Sequence, residues 1–390
     1  MHPHALTPGT DALRALWTLD PDVDFLNHGS FGATPRPVLA AQDHFRAELE
    51  RAPVAFLARR LPALLDGVRA RVATFLDADP AGLVFLPNAT TGVNTVLQAL
   101  RWAPGDEIVL ADSAYYAVKQ AARAIADRFG VRVTQAVVPF PLQSPDEVTA
   151  AFAAAITPRT KLLVVDHVVS ATACVFPVAD IVAMAHAHGV PVLVDGAHAP
   201  GMLPLSIRDV GADFYTGNLH KWVCTPKGAA VLHVAAAWRE RVHPLPVSHA
   251  YGAGLAPEFD WTGTADPSPW LAVPAALDLF DAMGWDAVRA ANHGLVRDGR
   301  VVLAEALGVA LPHPDDPRLY ANMATIPTPW FDGADDARLG RLTAALHAEH
   351  HIEVPFTRYD GRAWVRISGQ LYNAPAQYER LARVLRAWRG

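Results

Sequence analysis

The sequence predicts an α/β protein: a large domain built on a mostly parallel seven-stranded sheet, followed by a smaller C-terminal α+β domain. Three observations carry this expectation. From Leu83 onward, short apolar runs alternate with helical patterns, the rhythm of βαβ units. One run, Pro191-Val192-Leu193-Val194, stops abruptly at Asp195 and a Gly-Ala-His turn, as buried parallel strands do where functional groups collect. At 390 residues the chain also exceeds one usual core, so a large domain with a smaller companion is expected.

Taken in order, residues 1–24 read as a polar lead with a short helix from Asp11 to Trp17. Phe25 to Gly32 reads as a strand end running into a glycine-bracketed turn. Pro35 and Pro37 then open a helix through Val38 to Arg51, and another covers Leu61 to Leu76. The seven strands are Leu83–Leu86, Glu107–Ala111, Val131–Val138, Lys161–Asp166, Pro191–Asp195, Phe214–Gly217 and Ala229–Val234. Tyr251 to Asp266 is Gly-rich and reads as a loop. Helices at Pro269–Met283 and Asp286–Leu307 follow. Strands at Ala321–Ile326 and Ala363–Ile367 then alternate with helices at Ala337–Glu349 and Ala376–Trp388. The chain thus divides into an N-terminal segment 1–24, a large domain 25–266 and a small domain 267–390.

Composition narrows the function. A net charge of -6 and a pI near 6.3 argue against a general nucleic-acid surface. No apolar run approaches membrane-spanning length, and the opening MHPHALTPG has no basic start followed by an apolar stretch. The two cysteines, Cys174 and Cys224, lack metal-ligand spacing and are too few for a disulfide framework, which fits a reducing cytoplasm.

Only four of the 33 basic residues are lysines: Lys119, Lys161, Lys221 and Lys227. Lys221 stands between His220 and Trp222, just before the last sheet strand and 26 positions (221 minus 195) after Asp195. Arg cannot form a Schiff base, whereas Lys lowers its pKa readily on burial. An amine for that bond, and an acid to keep a pyridine nitrogen protonated, are what pyridoxal phosphate (PLP) chemistry requires.

Four further stretches adjoin strand ends. Asn88-Ala89-Thr90-Thr91-Gly92 opens a helix, and its hydroxyls and backbone N–H groups serve either an anion or simple capping. Tyr115 and Tyr116 follow the next strand and either stack on a flat ring or pack. Asp166-His167 ends the fourth strand, where a histidine touches a ligand or is satisfied within the core. Arg366 lies inside an apolar strand and grips a carboxylate with two hydrogen bonds or joins a structural ion pair.

With these motifs in place the chain resembles the class V aminotransferase superfamily of PLP enzymes (fold type I), and within it the isopenicillin N epimerase-like branch. The resemblance rests on LNHGSFGATPRPV from Leu26, NATTGVN from Asn88, DGAHAPG from Asp195 and TGNLHKW from Thr216. It implies that Lys221 carries the cofactor and acts as base at the substrate α-carbon, with Asp195 on the pyridine nitrogen. It implies His198 and His167 near the ring oxygen, and Ala89, Thr90, Asn218 and His220 around the phosphate. It further implies a stacking Tyr115 or Tyr116, a homodimer in which Gly263 and Thr264 reach the other subunit's phosphate, and Arg366 on the substrate carboxylate with Asn27 and His28 closing that side. Epimerisation or racemisation of an amino acid or its conjugate is the expected reaction. Carbon-sulfur β-elimination of a cysteine conjugate or sulfoxide is the alternative, and transamination a further one. Cysteine desulfurase is disfavoured, because neither cysteine sits in the C-terminal loop where such enzymes keep their nucleophile.

Overall fold

The computed structural model describes residues 6–388. Seven strands form the large sheet: β1 Leu83–Leu86, β2 Glu107–Ala111, β3 Arg132–Ala136, β4 Thr160–Asp166, β5 Val192–Asp195, β6 Phe214–Asn218 and β7 Ala230–Val234. Their order is β1-β7-β6-β5-β4-β2-β3, and β7 alone runs against the other six. Five of the seven strands are buried at every position. Helices cover both faces, so the apolar runs need no alternation.

The helices around this sheet begin as their caps dictate. Arg36–Arg51 (α1) carries a proline in its first turn, and Leu61–Leu76 (α2) ends on left-handed Asp77. Ala89–Ala99 (α3) is capped by Asn88, whose side chain accepts from Thr91 N–H at 2.8 Å. Tyr116–Phe129 (α4) ends at Gly130 in the left-handed region. Pro145–Ala155 (α5) starts in a Ser144/Glu147 capping box, and Val178–Ala187 (α6) completes the crossovers.

Two expectations are corrected here. The helix expected from Asp11 to Trp17 is a single turn, Asp11–Arg14, and Trp17 instead bridges to Pro35. The stretch read as a loop at 251–266 holds a helix, Leu255–Asp260, fixed by Arg69, which reaches both Asp260 carboxylate oxygens at 2.8 and 2.6 Å.

The C-terminal region has its own antiparallel sheet: β8 Met323–Pro327, β9 Phe356–Tyr359 and β10 Arg362–Ser368, with β10 central. Helices Trp285–Leu307 (α8), Asp336–His350 (α9) and Pro375–Ala387 (α10) accompany it, and Val273–Met283 (α7) precedes them in the chain. Leu295, Val296 and Leu303 of α8 pack with Val365 and Ile367 of β10 in this second core, together with Leu26 from the N-terminal side. Leu271, Val273 and Leu277, which lie past position 267, pack in the core of the large sheet. On that packing we place the division at Gly284, between α7 and α8. Among the described residues no helix is long and apolar enough to cross a membrane.

Candidate active site

The parallel strands β4, β5 and β6 end side by side, with Asp166 in register with Asp195 and Asp195 with Thr216. Their ends, the head of α3 and the turn after β6 enclose a cavity of about 370 Å³. Its walls include Asp195, His198, Lys221, Ala89, Thr90, Tyr115, Asn218 and His220, all expected from the sequence.

Burial sets the protonation states. Lys221 is pushed down to about 7, chiefly by desolvation and then by the Arg366 charge. Its Nζ lies 3.2 Å from His198 Nε2, and Trp222 Nε1–H donates to His198 Nδ1 at 3.4 Å. Indole only donates, so His198 Nδ1 accepts and its proton sits on Nε2, facing the amine. Burial and the Lys221 charge hold His198 well below its usual range, so the ring stays neutral and favours an uncharged Lys221.

Asp166 and Asp195 are both buried, and desolvation raises both. Asp166 rises furthest because Asp195 lies beside it, while Asp195 gains an N–H from Ala197 at 3.0 Å and the nearby Lys221 charge. Asp195 is therefore the carboxylate of the pair and Asp166 the protonated member.

Elsewhere on the cavity wall, Asn218 Oδ1 accepts from Ala89 N–H at 2.8 Å. This ties β6 to the head of α3 and leaves the Asn218 amide NH₂ as the donor it can offer. His220 donates Nδ1–H to Ala229 O at 3.0 Å, and burial lowers it to about 4. The α3 N-terminus, Thr90, Asn218 and Lys227 thus line the cavity together with Lys221.

Arg366 is 4% exposed. Its Nη1 donates to Ser170 O at 2.7 Å and to Ser170 Oγ at 3.0 Å, and its Nη2 to Ser30 Oγ at 3.0 Å. Both serines line the cavity. Among the described residues its Nε has no partner and no carboxylate pairs with it. A buried guanidinium with no counter-ion is costly unless something else brings the negative charge.

Besides Arg366, three expected residues lie behind the wall. His28 is fully buried: its Nε2 lies 2.9 Å from Lys221 O and its Nδ1 2.8 Å from Tyr372 Oη, so it holds the lysine backbone instead of facing substrate. Asn27 accepts from Ser30 O–H at 2.6 Å and donates to Glu353 at 3.3 Å, so it orients the serine that Arg366 uses. His167 pairs through Nδ1 with Tyr215 Oη at 2.8 Å, one step away from the cavity. Tyr116, 71% exposed, faces the neighbouring cleft, whereas Tyr115, 46% exposed, lines the cavity itself. Gly263 and Thr264 are exposed and lie outside the cavity of their own chain.

Sequence reasoning missed Ser30, Phe31, Ser170 and Lys227. Lys227 donates to Gly32 O at 2.9 Å, and burial lowers it. The scarcity of lysine that singled out Lys221 was a signal for Lys227 too. Gly32 has φ +72°, and a Cβ there would meet the Lys221 Cα and O at 3.0 Å. Only glycine lets this loop press on the lysine.

A sheet, a buried amine and a strand-end carboxylate in this order define a PLP enzyme of fold type I. The chain belongs to the class V aminotransferase family, whose profile, Aminotransferase class-V, matches residues 28–381. It is 36% identical to isopenicillin N epimerase of Streptomyces clavuligerus, covering 97% of this chain and 98% of that one. It is 35% identical to putative L-cysteine desulfhydrase 1 of Oryza sativa subsp. japonica, covering 91% and 81%. Its fold matches that of a C-DES variant with glycine covalently linked to the PLP cofactor, at TM-score 0.77 and 24% identity over 94% of this chain and 97% of that one. The cofactor is pyridoxal 5'-phosphate, and the cavity's donor set fits it: a buried amine whose pKa is lowered, a carboxylate at a strand end, and an anion cradle at a helix N-terminus.

Proposed function

We propose that this PLP-dependent enzyme is an epimerase or racemase acting at the α-carbon of an amino acid or amino-acid conjugate. The observation that carries the reading is Arg366, a buried guanidinium without a counter-ion whose serine partners line the same cavity as the buried amine of Lys221. Such a pair receives a carboxylate and an α-hydrogen from one small molecule. The similarity to the S. clavuligerus epimerase over nearly the whole of both chains supports the choice of reaction.

When bound, the cofactor supplies an electron sink for the charge left when the α-hydrogen is removed as a proton. Asp195 keeps the ring nitrogen protonated. Lys221 would hold the cofactor, and its amine is the group placed to take the α-proton; burial lowers its pKa to about 7, which favours the free base that this role needs. His198 N–H orients that amine, and Arg366 fixes the α-carboxylate between Ser30 and Ser170. Thr90, Asn218 and His220 hold the phosphate, and Tyr115 covers the ring. A phosphate beside His220 would raise its pKa, since an opposite charge favours the imidazolium. We take the working unit to be a cytoplasmic homodimer in which Gly263 and Thr264 reach the partner's cavity, with no nucleic-acid or membrane partner.

Carbon-sulfur β-elimination of a cysteine conjugate or sulfoxide is the second reading, favoured by the nearly equal identity to the rice desulfhydrase. Transamination ranks third. A persulfide-forming desulfurase is disfavoured because burial pushes Cys174 and Cys224 up to about 12, far from thiolate at neutral pH. A proton NMR time course in deuterium oxide, with cofactor-loaded protein and a panel of amino acids and cysteine conjugates, tests the choice. Loss of the α-proton signal with the side chain intact is the expected result; appearance of pyruvate replaces the epimerase with the lyase.

A further inference from the structure

A second cleft, of about 500 Å³, adjoins the cavity and shares Tyr115 and Ser170 with it. It lies between the head of α4 and the β9–β10 hairpin, and its walls include Tyr116, Ala171, Leu339 and Phe356, with Lys119 at one side. The cleft is preformed. Tyr359 of the hairpin donates to Asp112 Oδ2 at 2.9 Å, and Thr357 Oγ1 donates to Ala171 O at 3.0 Å, so hairpin and sheet are tied across it.

Its charges are unevenly spoken for. Arg358 is paired with Asp336 at 3.0 Å, and the Asp112 carboxylate accepts from Tyr359 and from Val138 N–H at 3.2 Å. Lys119 donates to the Asp112 main-chain oxygen and its charge acts on the buried Asp166, but among the described residues it forms no ion pair with a carboxylate. The cleft therefore offers a partly apolar wall of Leu339, Phe356 and Tyr116, polar groups that are largely engaged with one another, and one cation with donors to spare.

We propose that this cleft binds the side chain of the amino-acid substrate, and that the substrate carries a long side chain ending in an anion that Lys119 recognises. The inference rests on the reading above, in which Arg366 holds the α-carboxylate against Ser170. Ser170 and Tyr115 are walls of both cavity and cleft, so the cleft is the adjoining space toward which a side chain on that α-carbon would extend. Free cysteine would leave the cleft empty.

Gly340, on α9, lines the cleft, and a Cβ there meets nothing within 4 Å. Gly340→Phe therefore fills the cleft without touching the catalytic groups, and it favours the helix. The test measures dissociation constants of S-methyl-, S-butyl- and S-(4-carboxybutyl)-L-cysteine by titrating the absorbance of the loaded protein, alongside α-proton exchange. Wild type should bind the carboxybutyl compound about tenfold more tightly than the methyl one. Gly340→Phe should erase that preference and leave the methyl compound unchanged, and Lys119→Met should weaken only the carboxybutyl compound. Equal affinities in wild type, or a Gly340→Phe protein that keeps its preference, overturn the proposal. The graded preference without α-proton exchange would instead sink the reaction reading and leave the cleft standing. Exchange with equal affinities would do the reverse.

Discussion

Lys221 owes its position to residues that never meet substrate. Lys221 O only accepts, so His28 must donate from Nε2 and accept the Tyr372 hydroxyl at Nδ1. Burial, with the Lys227 and Lys221 charges, lowers His28 to about 3, so this neutral tautomer persists at working pH. Cys224 N–H donates to the same carbonyl at 3.1 Å, from a left-handed turn at φ 60°. Tyr372→Phe leaves the His28 acceptor buried and unmatched. It should lower the urea unfolding free energy by about 1–3 kcal/mol and slow α-proton exchange without changing KM; unchanged stability would contradict this hydrogen-bond order. Lys221 and Asp195 could be picked from the sequence because each ends or follows an apolar run and lysine is scarce. Ser30 and Ser170 could not, because their role exists only through Arg366, which lies 336 and 196 positions away.

The seven strands and most flanking helices were legible as elements, since each run is bounded by turn residues and five of the seven are buried on both faces. The reversed direction of β7 was not, because apolar content says nothing about which way a strand runs. The helix at Leu255–Asp260 was hidden for another reason: its sequence is loop-like, and the Arg69–Asp260 contact that holds it joins residues 191 positions apart. The contact of α3 with β6 carries the site's second end. A Cβ at Gly92 would collide with Thr216, whose hydroxyl is held by Val231 O at 2.9 Å and cannot yield cheaply. Gly92→Ala should push α3 off β6, cost about 1–3 kcal/mol in unfolding experiments, and loosen PLP binding through the Ala89–Asn218 link. Retained stability and cofactor affinity would refute that account.

At the scale of the whole molecule, two cores meet along the cavity and its adjoining cleft: the large sheet supplies the amine and the carboxylate pair, and β10 of the second sheet supplies Arg366. Motif order made the pairing of lysine and aspartate readable. The packing of residues 268–283 with the large core was not readable, because helical periodicity shows that a face is buried but not against what. The proposed reach of Gly263 and Thr264 into a partner's cavity is likewise a matter for a second subunit, which the packing of one chain does not show. The central claim is that Lys221 is the amine that holds PLP and moves the α-proton. Borohydride reduction of the cofactor-loaded protein ties PLP irreversibly to whichever amine holds it, and peptide mapping then locates the added mass. With only four lysines in the chain the outcome is sharp: the label should fall on Lys221, and a label on Lys119, Lys161 or Lys227 would contradict the account.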